Sequence, residues 1–103
     1  KEVKSRDRVY STRGMAALNI PIQLVGACST LGDMTPLWFR YENEEHAVVT
    51  VKVEEVVSSK EERYCGMDYI SFVCWAAAEG QRRLIELRYR VSTHKWSLFR
   101  TLS

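Results

Sequence analysis

The sequence predicts a mainly β fold: a six-stranded antiparallel meander that closes into a small SH3-like barrel or curls into a strongly twisted sheet, with at most one short helix. Three observations predict it. The run Tyr69-Ile70-Ser71-Phe72-Val73-Cys74-Trp75 is uncharged and rich in β-branched and aromatic side chains, which suit a pleated, half-buried surface. Five other segments alternate apolar and polar residues with a period of two, the mark of a strand with one buried face. Short polar turns separate most of them, and strands joined by such turns pair antiparallel. A flat open sheet of this size would leave its edges exposed, so closure or curling is expected.

Residues 1–14 are polar and basic, and only Val3, Val9 and Tyr10 offer apolar surface. They read as a flexible arm ahead of a single β domain spanning 15–103, with the apolar pattern beginning at Met15. Ala16 to Cys28 is the first strand, with Ile20, Ile22 and Leu24 on one side and Pro21, Gln23 and Val25 on the other. Pro21 suits an edge position. Ser29 to Met34 is a turn. Thr35 to Glu42 follows, with Leu37, Phe39 and Tyr41 alternating with Trp38, Arg40 and Glu42.

Asn43-Glu44-Glu45 is a hairpin tip, and the chain returns from His46 to Val57 with Val49, Val51 and Val53 inward. Parity breaks at Glu54-Glu55, where a bulge would restore Val56 and Val57 to the core. Ser58 to Gly66 reads equally as a short helix, with Ser59 and Glu62 forming a capping box, or as a long loop. The central strand runs from Tyr69 to about Ala77 with Ile70, Phe72 and Cys74 on one face. Ala78-Glu79-Gly80-Gln81 is a second hairpin, with Gly80 available for positive φ. Arg82 to Val91 carries Ile85, Leu87 and Tyr89 inward, Ser92 to Lys95 turns, and Trp96 to Leu102 closes the chain.

With 103 residues the chain has the size of one domain that buries a modest core without staples. Hydrophobic residues at 46% and charged residues at 27% are ordinary for a globular domain. No apolar run is long enough for a spanning helix, so no membrane role is expected. The cysteines, Cys28, Cys65 and Cys74, are odd in number and lack C-x-x-C spacing. Reduced thiols and a cytoplasmic location are the simplest reading, with one disulfide and a free thiol as the alternative. The net charge of +2 hides a separation. Residues 1–14 balance at +3, residues 33–62 at −5 and residues 81–103 at +5. A polarised body suits a charged partner; acidic and basic strands side by side would instead neutralise each other.

Catalytic and metal chemistry find little footing. His46, His94 and the cysteines lack the close spacing of a zinc site, and the five glycines form no phosphate-binding motif. The carboxylate pairs Glu44-Glu45, Glu54-Glu55 and Glu61-Glu62 are consecutive, so on a strand they point to opposite faces. Neither a cofactor, a metal nor an enzymatic role is expected. The informative pattern is aromatic and basic: Trp38, Arg40, Lys52, Trp75, Arg88 and Arg90 share the parity opposite the core. On one outer face they would make a binding surface, for a protein partner or a second copy of the chain. The rival reading is single-stranded nucleic acid, stacked on the aromatics beside cations. It requires Arg40, Lys52, Arg88 and Arg90 to be contiguous and clear of Glu42 and Glu86.

The segments Pro36-Leu37-Trp38-Phe39-Arg40-Tyr41-Glu42, Val53-Glu54-Glu55-Val56, Ile70-Ser71-Phe72-Val73-Cys74, Arg83-Leu84-Ile85-Glu86-Leu87-Arg88-Tyr89 and Lys95-Trp96-Ser97-Leu98 occur one after another in order. In that order, over roughly residues 20–102, the chain resembles a group of small β proteins of firmicute bacteria that have no assigned activity. The resemblance implies a bacterial origin and a DNA-damage or mobile-element context. It implies no catalytic residues.

Overall fold

The computed structural model describes residues 17–103. The basic arm, residues 1–14, and the proposed start at Met15 lie outside the described residues. Six strands occur in order: β1 (Ala17–Cys28), β2 (Met34–Glu42), β3 (Val48–Tyr64), β4 (Met67–Ala78), β5 (Gln81–Arg90) and β6 (Lys95–Thr101). Each pairs antiparallel with the next, and β6 returns to pair with β1, so the meander is a closed barrel. There is no helix among the described residues.

The inward residues fill the barrel. Phe39, Val49, Val51, Val53, Phe72, Cys74, Ala76, Ile85, Leu87 and Leu98 form the buried core. Ile70, Tyr89 and Trp96 pack against it from one end, where the Trp96 ring lies 5.4 Å from Phe72 and 4.9 Å from Tyr89. β4, which holds the uncharged run from Tyr69 to Trp75, pairs along most of its length with both β3 and β5, as its two apolar faces require.

Closing six strands calls for strong curvature, and bulges supply it. At Val25/Gly26 the β1–β2 register slips, and Leu37 is the extra residue between Pro36 and Trp38. Leu37 is therefore turned out, at 44% exposure, and Pro36 takes the buried position; the expected inward Leu37 is corrected by that bulge. Gly26 is required there, because a Cβ would stand 2.9 Å from the Thr35 carbonyl oxygen. On β3 there are two slips, with Glu54 and Val57 the extra residues. The first returns Val56 to the core, as expected, but the second leaves Val57 52% exposed.

Two further expectations change. Ser58 to Tyr64 is neither helix nor loop: it continues β3, paired with β4 through Tyr64↔Met67. The turn is Cys65-Gly66, with φ of 51° and 78°, the positive pair that a two-residue I′ hairpin needs. Glu79-Gly80 repeats the device with φ of 53° and 79°. Pro21 is on an edge only locally. β1 gives residues 17–22 to β6 and residues 23–28 to β2, so Pro21 lies in the half that has a partner on one side.

Candidate interaction surface

The outer face is built from the odd residues of β4 and their cross-strand neighbours. Lys52 on β3 stands opposite Trp38 on β2 and Ala77 on β4, and Ala77 stands opposite Arg82 on β5. One transverse row thus reads Trp38, Lys52, Ala77, Arg82. Arg40 lies 5.9 Å from the Trp38 ring and donates from Nε to Gln23 Oε1 at 2.7 Å. Trp75, two residues before Ala77 on the same face, carries the Arg82 guanidinium 4.3 Å over its ring. Arg82 Nε also donates to Glu54 Oε1 at 2.7 Å. Val25, opposite Trp38, and Leu37 add exposed apolar surface at one margin.

Four of the six expected residues therefore come together: Trp38, Arg40, Lys52 and Trp75. Arg88 and Arg90 do not join them. They lie six and eight residues beyond Arg82 on β5, about 20 Å and more along a strand rising roughly 3.3 Å per residue. Arg82 and Glu54 belong to the cluster and were not among the residues expected. Arg82 had a signal: a two-residue turn at Glu79-Gly80 forces Ala77 opposite Arg82. Glu54 had half a signal: the parity break at Glu54-Glu55 marks a bulge, but the pattern does not show which of the two is the extra residue.

Arg88 belongs to a second network. It sits opposite Ser71 on β4 and Ser97 on β6. Its guanidinium lies 3.6 Å over the Phe99 ring and 5.4 Å over Tyr69. Nη2 is 3.5 Å from Glu62 Oε1, and Nε is 3.6 Å from Glu86 Oε2. Glu86 is only 5% exposed and accepts a hydrogen bond from Arg100 Nε at 2.7 Å. The Lys60 ammonium holds the Glu62 carboxyl below its ordinary value. The Ser71 hydroxyl, donating at 3.1 Å, and the Arg88 charge add to that effect, while burial opposes it. Acid-rich β3 and base-rich β5 thus neutralise each other across β4, through Glu54–Arg82 and Glu62–Arg88.

Other chemistry is sparse. The three cysteines are free, and burial pushes the Cys74 thiol up to about 12. No group of three metal-ligating side chains occurs among the described residues. His46 pairs with Glu42 at 3.3 Å, and His94 Nδ1 meets the Tyr89 hydroxyl at 2.7 Å. One mouth of the barrel holds a cavity of about 210 Å³, with Tyr41 in its wall and Glu79 at its rim. Burial, and then the Glu79 carboxylate, raise the Tyr41 hydroxyl above its ordinary value. No protein-family model matches the chain, and no curated protein or solved structure matches it either.

Proposed function

We propose that this protein is a non-enzymatic binding module that docks protein through the outer face of β2–β5, with a second copy of the chain as the first occupant to test. The observation that carries the proposal is the cluster of Trp38, Arg40, Lys52, Trp75 and Arg82 on one face of the closed barrel, bordered by exposed Val25 and Leu37. Tryptophan and arginine dominate the centres of protein interfaces, where a few large anchors carry most of the binding energy. A mixed surface also suits protein better than polyanion. Glu54 sits inside the cluster on Arg82, and polyanion binding draws its affinity from free cations along a track. Arg88, which that track would need, is held by Glu62 and Glu86.

Sedimentation equilibrium of the intact chain tests the reading, with fluorescent single- and double-stranded oligonucleotides titrated at two salt concentrations alongside. The expected result is reversible dimerisation weakened about tenfold or more by Trp38→Ala, and no oligonucleotide binding. Salt-sensitive oligonucleotide binding lost in Trp38→Ala would overturn it in favour of a nucleic-acid accessory domain. A monomer at every concentration would remove the second copy as the occupant.

A further inference from the structure

At the far end of β5 two cations have no carboxylate partner among the described residues. Arg90 on β5 and Lys95 on β6 stand directly opposite one another in the antiparallel ladder. Like charges in that position repel. Nearby cations avoid the problem: Arg82 meets Glu54, Arg88 meets Glu62 and Glu86, and Arg100 meets Glu86. Among the described residues no carboxylate pairs with Arg90 or Lys95. Arg90 Nη2 donates to the Met67 thioether, a weak acceptor. Arg90 Nε is closed off from solvent without any acceptor, and Arg88 Nε makes no hydrogen bond either. A buried donor left in this way costs its full desolvation.

These groups line one groove of about 310 Å³ between β1 and the β5–β6 hairpin. Its wall holds three cationic residues, Arg88, Arg90 and Lys95, together with Thr93, Ser97 and Asn19. No carboxylate is among its lining residues. Asn19 is held there by a φ of 51° at the register slip of β1. The donors come from β1, β5, β6 and the turn between the last two. A planar carboxylate takes hydrogen bonds in one plane, whereas a tetrahedral oxyanion takes them from all sides. Guanidinium and ammonium groups with surrounding hydroxyls are the donors that phosphate recruits.

We propose that this groove binds a phosphate group, as the free ion or on a small phosphomonoester, with Arg90 and Lys95 as its charge partners and Thr93, Ser97 and Asn19 as neutral donors. The site lies at the opposite end of β5 from the Trp38 cluster and does not depend on it. Bound phosphate would place negative charge between two opposed cations and give Arg90 an acceptor stronger than sulfur.

Calorimetric and thermal-shift titrations of the intact chain test the proposal. The probes are inorganic phosphate and adenosine 5′-monophosphate, with ionic strength held constant by sodium chloride. Saturable binding is expected, with a Tm that climbs with the logarithm of ligand concentration. Arg90→Gln and Lys95→Gln should each weaken it about tenfold or more, while Arg63→Gln, on the β3–β4 hairpin, should leave it unchanged. Tighter binding of the nucleotide assigns the site to a phosphomonoester; equal affinity assigns it to the free ion. Lys95 is exposed, so Lys95→Gln should fold, and in phosphate-free buffer it should melt no lower than the parent because the repulsion is relieved. A response that tracks ionic strength alone, parental affinity in Lys95→Gln, or a lower melting point for Lys95→Gln without phosphate would each overturn the proposal.

Discussion

Single side chains carry unequal weight in this barrel. Phe72 is 3% exposed and stacks near Trp96 in the one continuous core. Phe72→Ala should cost about 3–5 kcal/mol, read as a shifted midpoint in urea; a loss under about 1 kcal/mol would contradict its core placement. Glu62 offers a pH test. Its folded carboxyl lies below the ordinary 4.5, chiefly through Lys60. A lowered value contributes stability that is complete above 4.5 and fades as pH falls through the folded value. The melting-point advantage of the parent over Glu62→Gln should therefore be steady near neutrality and shrink below about pH 4.5. An advantage that grows in acid would contradict the network around Ser71 and Arg88.

At the scale of the element, apolar alternation was enough to read all six strands, and it also showed where reading stops. Strands β1, β2, β4, β5 and β6 announce themselves because one face of each supplies the core. The tail of β3, Ser58 to Tyr64, does not. Its residues are polar because β2 pairs only with Val48 to Lys52, so the tail has β4 on one side and no described strand on the other, and is held by ladder hydrogen bonds and a tight turn rather than by burial. Leu37 and Val57 were misplaced for another reason. Bulges are chosen by barrel curvature, a property of the closed whole, and each one flips the parity of the residues beyond it. The turn chemistry is directly testable. Cys65 takes a φ of 51° that a β-carbon disfavours, and asparagine tolerates that region best among non-glycine residues. Cys65→Asn should raise stability by up to about 1 kcal/mol in urea unfolding. A loss of stability would mean that the thiol has a role in the turn.

For the whole molecule, parity placed Trp38, Arg40, Lys52, Trp75, Arg88 and Arg90 outside the core but could not divide them. The division comes from register along β5, where Arg82 sits level with Trp38 and Lys52 while Arg88 and Arg90 lie beyond the middle of the barrel. The result is two separate chemistries on one surface: an aromatic, partly neutralised face at one end and, at the other, a cationic groove where Arg90 and Lys95 have no carboxylate partner among the described residues. The half-and-half pairing of β1, with β6 along residues 17–22 and with β2 along 23–28, has a consequence of another kind. It brings Ala17 opposite Arg100, so the described barrel is close to a topological circle. A circularly permuted chain, with Ser103 joined to Lys1 and new ends opened between Cys65 and Gly66, should recover the same barrel with the same near-ultraviolet dichroism. In such a chain β4 comes first and β3 last, and the old seam becomes an internal hairpin.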